Sequence, residues 1–190
     1  MDPLNSAIEA ELEGDYLRAL NHYRKLITKG SLLDRIGIYQ AIARCFEKRG
    51  RLKTAGYWHE RAGLAYMKLS NRTMGLQERA YYGMIEFRSA IQDYVPNSSI
   101  RTAGKNYLNA LGICLKTGKE GYSHEMLFAA HLCAKISAFM RAGHFFADAA
   151  EQFKSEPRLA RKTFELAAQY YEQSGERRAA RKLRAASRKD

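Results

Sequence analysis

Two distant stretches of the chain share one pattern of side chains: IYQAIARCFEKRGRLKTAGYWHERA, residues 38–62, and TFELAAQYYEQSGERRAARKLRAAS, residues 163–187. In each stretch an aromatic, a small, an aromatic, a glycine and an alanine residue follow one another at spacings of 4, 3, 4 and 5. The two sets are Tyr39, Ala43, Phe46, Gly50 and Ala55, and Phe164, Ala168, Tyr171, Gly175 and Ala180. Such a recurrence predicts an internal repeat.

Weaker copies of the pattern set the period of the repeat. Gly14 precedes Gly50 by 36 residues, and Gly118 follows Gly50 by 68, which is twice 34. Gly83 lies near the place of a missing copy, and around Gly143 the alanine is displaced by one position. The companions of the outer glycines are Ala7, Ala10 and Ala19 for Gly14, and Tyr107, Leu111, Cys114 and Ser123 for Gly118. The sequence therefore predicts repeats of about 34 residues.

Helical periodicity dominates the chain, and alternation typical of strands is absent from the sequence. Glycines and short polar segments divide the apolar runs, and we expect them to end helices, with Ser99 or Ser155 as possible caps of the next helix. The expected helices are roughly 4–13, 15–29, 33–49, 51–69, 73–94, 99–117, 122–142, 144–155, 157–174 and 176–189. The predicted fold class is all-α.

The small residues of the pattern allow the two antiparallel helices of a hairpin to approach closely. Because one hairpin cannot bury its own apolar face, successive hairpins are expected to stack on one another. YQAIARCFEKRGRLKTAGYWHERA and FELAAQYYEQSGERRAARKLRAA resemble the tetratricopeptide repeat, and GDYLRALNHYRKL matches its second helix. The chain is also similar to the soluble NSF attachment proteins in its frequent alanine and tyrosine residues, as in ARKTFELAAQYYEQSGERRAA. The resemblance implies one TPR-like domain over 1–190, a right-handed superhelix of about five antiparallel hairpins with a concave groove for proteins or peptides.

In that resemblance the first helix of each hairpin lines the groove. The exposed groove positions in the two best copies would be Gln40, Arg44, Glu47, Lys48, Glu165, Gln169 and Glu172. This mixed polar set lacks the paired Lys/Asn arrangement of repeats that bind chaperone tails. A clamp for a C-terminal carboxylate is therefore not expected.

The chain of 190 residues carries 32 Lys and Arg against 20 Asp and Glu, a net charge of +12. This balance favours acidic protein surfaces or polyanions as partners, although it is also compatible with a role in solubility alone. The three cysteines, Cys45, Cys114 and Cys133, lie in apolar helical runs and are expected to be buried thiols. The N-terminus lacks the features of a signal peptide, and no apolar run is long enough for a membrane span, so we predict a cytoplasmic protein.

Motifs for catalysis or metal binding are absent from the sequence. His124 and His131 are seven residues apart, about two helical turns, which is too far for one zinc ion to bridge. We interpret the acidic residues between Glu9 and Asp15 as a solvent-exposed face and not as a catalytic acid–base pair. Phosphate loops, dinucleotide fingerprints and nucleophile elbows are missing. We therefore expect a protein without enzymatic activity, cofactor or metal.

Basic residues recur around the expected inter-helix turns KRGRLK, KTGK, RAGH and SGERR. Helix dipoles explain cations before each glycine but disfavour those that follow it at helix N-termini. The candidate polyanion-binding residues at the turns are Lys48, Arg49, Arg51, Lys53, Lys116, Lys119, Arg141, Arg177 and Arg178. The basic helix 176–190 adds Arg181, Arg184 and Arg188, and its alternative role is to cap the repeat stack.

The sequence thus favours a scaffold that binds another protein or peptide, with an acidic surface, through the predicted groove. The alternative is an RNA- or DNA-associated protein that holds phosphates through the basic turns and the terminal helix. The two differ in salt dependence, because phosphate binding weakens steeply as salt rises. An end-to-end homo-oligomer is a third possibility.

Overall fold

The computed structural model describes residues 2–94, 100–153 and 155–187. Within these ranges the chain is all-α, and no strand occurs. The ten described helices are α1 Pro3–Leu12, α2 Tyr16–Leu26, α3 Leu32–Lys48, α4 Leu52–Lys68, α5 Leu76–Tyr94, α6 Ile100–Cys114, α7 Ser123–Lys135, α8 Phe139–Gln152, α9 Pro157–Gln173 and α10 Arg177–Ala186. None of the helices in these ranges has the length and apolar character needed to cross a membrane.

The helices fall into two compact units, unit 1 over Met1–Cys114 and unit 2 over Leu115–Asp190. In unit 1 each helix from α1 to α5 packs against the next, and in unit 2 the same holds from α7 to α9. The net charge is shared equally, because unit 1 has 17 basic against 11 acidic residues and unit 2 has 15 against 9. A single repeat domain over 1–190 stays a prediction.

Glycine produces the turn within the two hairpins that first revealed the pattern. Gly50 has a φ of 68°, its N–H donates to Glu47 O at 2.8 Å, and the N–H of Arg51 donates to Phe46 O at 2.9 Å. Gly175, with a φ of 89°, makes the equivalent pair of bonds in the α9–α10 turn. Both turns are Schellman motifs, whose left-handed residue favours glycine because it lacks Cβ.

The turn expected at Gly143 is instead made by Ser137. Ser137 has a φ of 60°, and the N–H of Ala138 donates to Cys133 O at 2.8 Å, the same bond that follows Gly50 and Gly175. Gly143 lies buried inside α8, where its missing Cβ admits the ring of Tyr171. The predicted boundary between helices 122–142 and 144–155 was therefore wrong. With Ser137 in the place of the glycine, the spacings of 4, 3, 4 and 5 recur at Met126, Ala130, Cys133, Ser137 and Ala142.

Gly83 lies in the interior of α5, within the helix expected over 73–94, and does not mark the turn of a repeat copy. The pattern spacings instead recur at Phe87, Ile91, Tyr94 and Ala103, which are all buried. The turn position of this copy lies outside the described residues, as do the VPNSS segment and the Ser99 cap. The five helix pairs from α1–α2 to α9–α10 thus bury residues at the same spacings wherever they are described, and the last position of each is a fully buried alanine: Ala19, Ala55, Ala103, Ala142 and Ala180. Gly118, the glycine of the third predicted copy, lies in the segment between α6 and α7, so that copy joins the end of one such pair to the start of the next.

Polar caps begin several helices of unit 1. The side chain of Asp2 accepts from the N–H of Leu4, and that of Asp15 accepts from the N–H of Arg18. Ser31 and Asp34 form a reciprocal capping box at the start of α3. Each cap satisfies backbone donors that have no partner within the helix. In unit 2 the cap of α9 is Glu156, without a side-chain bond, rather than Ser155.

Candidate functional site

A largely apolar concavity in unit 1 lies where α1, α2 and α3 meet, and we call it the α1–α3 groove. It encloses about 520 Å³. Leu4, Ile8 and Leu33 line it and remain 41–46% exposed, which is unusual for aliphatic side chains so close together. At Gly37 no atom lies within 4 Å of where a Cβ would stand, so this stretch of the groove is open.

Intramolecular bonds around Glu11 fix one side of the α1–α3 groove. Glu11 Oε2 accepts from the hydroxyl of Tyr23 at 2.7 Å, and its Oε1 accepts from Arg44 Nε at 3.0 Å. Glu11 therefore ties α1 to both α2 and α3. Burial raises the pKa of Tyr23, and its bond to Glu11 raises it further. The acidic N-terminal residues thus act at least partly as structural partners, since Glu13 also pairs with Arg18.

The predicted groove residues of α3 face different surroundings. Arg44 lines the α1–α3 groove while paired with Glu11, and Lys48 is exposed at the end of α3. Gln40 and Glu47 point instead toward α4 and α5, where both make side-chain hydrogen bonds. The structure thus does not gather these four positions on one open surface.

The predicted groove residues of α9 form their own group in unit 2. Glu165 and Gln169 line a concavity of about 260 Å³ together with Arg184 of α10. Glu165 also lies 3.5 Å from Arg161 Nε, and Glu172 forms a two-bond pair with Arg184. A wider concavity of about 650 Å³ lies near the start of α9, lined by Phe153, Phe164, Arg158 and Arg161 among others.

A cluster of buried ionisable groups lies between α3, α4 and α5, and we call it the His59 cluster. His59 Nδ1 is 2.8 Å from Glu86 Oε2, and His59 Nε2 is 3.0 Å from Glu47 Oε1. Gln40 Nε2 donates to the other oxygen of Glu86 at 2.7 Å. Asp93 completes the cluster, since its carboxylate, His59 and Glu47 each offer an atom within 4.8 Å of the others.

Proton positions in the His59 cluster follow from its contacts. Both ring nitrogens of His59 face carboxylate oxygens, which accept hydrogen bonds when ionised, so these contacts favour the doubly protonated imidazole. Burial lowers the pKa of His59, but its bonds to Glu86 and Glu47 outweigh burial and raise the pKa overall. Burial raises the pKa of Asp93 to about 6; His59 lowers it and Glu47 raises it further.

Small residues on α4 allow this cluster to form. Gly56, His59 and Gly63 are at spacings of 3 and 4 and therefore share one face of α4. A Cβ at Gly56 would stand 3.0 Å from Asp93 Cβ, and one at Gly63 would stand 2.7 Å from the ring of Phe87. These glycines bring α5 close enough for Glu86 and Asp93, two turns apart, to reach His59.

Nothing in the sequence analysis assigned a role to His59, Glu86 or Asp93. No metal-binding or catalytic motif contains them, because they lie 27 and 7 residues apart on two helices. The detectable signal is composition alone: ionisable residues occupy helical positions that otherwise belong to the apolar face. Only the packing of α4 against α5 brings these positions together.

The predicted cations of unit 1 surround the Gly50 turn. Lys48, Arg51 and Lys53 are exposed, and Arg49 is half-buried. Within the described part of the chain, none of these four has an acidic partner for its side chain. Four cations in six residues therefore remain available to solvent at one turn.

The predicted cations of unit 2 divide into paired and unpaired groups. Lys119 pairs with Asp148 at 2.7 Å, and Arg184 pairs with Glu172. Arg141 lies in the first turn of α8, after the turn at Ser137, because the turn predicted at Gly143 does not occur. The exposed cations without an acidic partner among the described residues are Lys116, Arg141, Arg177, Arg178 and Arg181. Arg188 lies outside the described residues.

The fold defines an all-α protein of consecutively packed helices. No family model matches the chain, and neither does any curated protein. A similar solved structure is the crystal structure of BtubC (BKLC) from P. vanneervenii, with a TM-score of 0.56 and 18% sequence identity over 97% of this chain and 79% of that one. At this identity the similarity establishes the helical fold and carries no statement about function.

Proposed function

We propose that this chain is a TPR-like helical-repeat scaffold that binds an acidic, amphipathic segment of another protein in the α1–α3 groove. The observation that carries the proposal is the set of exposed aliphatic side chains, Leu4, Ile8 and Leu33, around an open concavity. Concave, mostly apolar surfaces of this size are typical of binding sites. The proposal assigns the protein no catalytic step.

The repeated hairpin supports the scaffold interpretation. The same turn bonds occur after α1, α3, α7 and α9, so hairpins of one design follow one another within each unit. Such hairpins present the surfaces of their first helices side by side, and here α1 and α3 both contribute to the groove. A superhelix of TPR type is the arrangement that we infer from this repetition.

The chemistry of the occupant follows from the surroundings of the groove. Its apolar lining fits leucine-like or aromatic side chains on one face of a partner segment. The groove lining holds Asp2 and Asp34 as well as Lys29 and the paired Arg44, so the preference for Asp and Glu on the opposite face rests on the net positive charge of unit 1 as a whole. A segment with both features gains apolar burial in the groove and electrostatic attraction to unit 1.

A peptide-display selection against the purified full chain tests this proposal. We expect enrichment of segments that combine Asp or Glu with Leu, Ile or Phe, and binding of synthetic copies in the micromolar range, about −8 kcal/mol. The variant I8E/L33E should weaken that binding at least tenfold, because it places charges in the apolar lining. The control L64E/L76E changes two similarly exposed leucines outside the groove and should bind normally. Equal loss or equal retention in both variants would contradict the assignment of the groove.

The unpaired cations favour polyanion binding as a second candidate function. At the Gly50 turn, Arg51 and Lys53 lie at the start of α4, where the helix dipole disfavours them. Arg177 and Arg178 occupy the equivalent place at the start of α10. We propose that each turn contacts phosphates of a single-stranded nucleic acid.

Salt dependence of binding to a fluorescent 20-nucleotide RNA tests the second candidate. The slope of log K against log salt should fall by roughly 0.7 for each phosphate contact removed. R51E/K53E and R177E/R178E should each reduce the slope, and R72E, a single exposed arginine elsewhere, should reduce it less. If RNA binding is absent at low salt, or unchanged in both double variants, the turns do not bind polyanions.

A further inference from the structure

We propose that the His59 cluster binds one divalent transition-metal ion, with Glu47, His59 and Asp93 as its protein ligands. Each residue comes from a different helix of unit 1: α3, α4 and α5 respectively. An imidazole with two carboxylates is a donor set suited to zinc, manganese or ferrous iron. The site is separate from the α1–α3 groove and does not depend on it.

The distances already approach those of a coordination sphere. Two atoms bound to one tetrahedral ion at about 2.0–2.1 Å lie roughly 3.4 Å apart. His59 Nε2 and Glu47 Oε1 are 3.0 Å apart, and all three ligand atoms lie within 4.8 Å of one another. Small side-chain rotations therefore suffice, with the ion replacing the proton between Nε2 and Glu47.

Asp93 supplies the independent sign that something binds here. The residue is only 8% exposed, and its Oδ2 has no hydrogen-bond partner among the described residues. A buried carboxylate oxygen without a partner is costly, because it has lost the water that stabilises its charge. Since this carboxylate lies beside His59 and Glu47, a cation at the centre of the cluster would satisfy it.

The outer contacts of the cluster match those of known metal-binding histidines. Such a histidine usually donates its second N–H to a carboxylate, which orients the ring and makes it a better ligand. His59 Nδ1 has this contact with Glu86, and Gln40 in turn holds Glu86 in place. With Nδ1 committed to Glu86, Nε2 is the nitrogen left to bind the ion.

Access and charge are compatible with loading from solvent. The side chain of Glu47 is 38% exposed, so one ligand reaches the surface while His59 and Asp93 remain buried. Three carboxylates surround one imidazole, and a doubly charged ion offsets this excess of negative groups. The three protein ligands leave at least one coordination position for water.

Titration of the chelator-treated full chain with Co²⁺ tests the site. We expect one ion per chain, visible absorption bands of low-symmetry Co²⁺, displacement by Zn²⁺ and a rise in melting temperature with either ion. Asp93→Asn should weaken Co²⁺ binding at least tenfold. Without metal, this variant should melt no lower than the parent chain, because it removes a buried carboxylate whose Oδ2 has no partner.

The control H131Q/D148N removes one histidine and one carboxylate from α7 and α8, outside the cluster, and should leave the Co²⁺ affinity unchanged. Absence of stoichiometric binding would overturn the proposal, and so would equal affinity in Asp93→Asn and the parent. In that case Asp93 carries an ordinary water or a proton instead.

Glu86→Gln tests the orienting contact separately. As a positioning residue, Glu86 should affect affinity while leaving the ligand set intact. We therefore expect Co²⁺ to bind about 10–100-fold more weakly, with the absorption bands kept at the same wavelengths. An unchanged affinity, or bands that shift to new wavelengths, would contradict the arrangement in which Glu86 orients His59.

Discussion

Ser137 adopts a backbone conformation that glycine adopts at the equivalent turns of other hairpins. Its φ of 60° is left-handed, and it is the sole non-glycine residue with positive φ in the described ranges. The left-handed region costs an L-residue with a Cβ roughly 1–2 kcal/mol. The α7–α8 turn therefore stores strain that the Gly50 and Gly175 turns avoid. Because this turn has serine in place of glycine, the glycine spacing did not predict it.

Exchanging serine and glycine at positions 137 and 175 should change the free energy of unfolding in opposite directions. We expect Ser137→Gly to raise the free energy of unfolding by up to about 1 kcal/mol, because relief of strain exceeds the added chain entropy of glycine. Gly175→Ser should lower it by about 1 kcal/mol at the equivalent turn. Urea denaturation followed by circular dichroism measures both. Two changes of the same sign would show that turn conformation does not set this part of the stability.

At the scale of elements, α4 and α5 pack closely in unit 1 through glycines on both helices. Gly56 and Gly63 face α5, and Gly83 faces back toward Met67 and the backbone of Gly63. Glycine inside a helix is costly by itself, at roughly 0.5–1 kcal/mol relative to alanine. This cost is offset because the close approach of α4 and α5 buries Phe87 and assembles the His59 cluster.

We expect two glycine-to-alanine substitutions to change the free energy of unfolding in opposite directions. Gly63→Ala should destabilise unit 1 by about 1–3 kcal/mol, because its new Cβ would stand 2.7 Å from the ring of Phe87. Gly112→Ala, inside α6 with no atom within 4 Å of its Cβ position, should stabilise by about 0.5–1 kcal/mol. Denaturant midpoints with unchanged m-values check both. Stabilisation by Gly63→Ala would mean that α5 can move away without loss.

At the scale of the whole molecule, the division into two compact units places a boundary in the segment between α6 and α7. Lys116, Thr117, Gly118 and Lys119 are all exposed there. Exposed segments between compact units are where proteases cut first. The connection between α4 and α5 is held more firmly, since Ser70 O accepts the backbone N–H groups of Thr73 and Met74.

Limited digestion with trypsin should therefore cleave first after Lys116. Lys119 is a poorer site because its ammonium group pairs with Asp148. We expect two initial fragments that separate at this boundary, identified by mass spectrometry, and a slower first cut in the variant K116Q/K119Q. A first cut after Arg72, within unit 1, would contradict the division.

Several features of the fold were predictable because they depend on local sequence. The spacing of apolar and glycine residues predicted the glycine turns at positions 50 and 175 and about ten helices, and the structure confirms these turns and ten helices within the described ranges. Prediction failed where a local rule has exceptions: Ser137 stands where the Gly14, Gly50 and Gly175 turns have glycine, and Gly143 admits the ring of Tyr171 within α8 instead of making a turn. A glycine in the sequence does not reveal which of the two roles it has.

The candidate sites were less accessible to sequence reasoning. Arg44 lines the α1–α3 groove, which the repeat pattern did not specify, and Gln40 and Glu47 bond within a buried cluster instead of facing a groove. Exposure of a helical residue depends on which neighbours pack against it, and side chains of α4 and α5 bond to the positions of α3 that the repeat pattern left open. The basic turn at Gly50 is closer to expectation, because charged residues at a turn are exposed in most packings.

The sequence by itself determined an all-α chain, the recurrence of one hairpin design and an excess of positive charge. These follow from spacing and composition, which act over a few residues at a time. Only the tertiary structure decided that α1, α2 and α3 leave an apolar concavity, and that Glu47, His59, Glu86 and Asp93 meet. The physical reason is that these arrangements depend on how closely helices approach, and side chains distant in the sequence set that distance together.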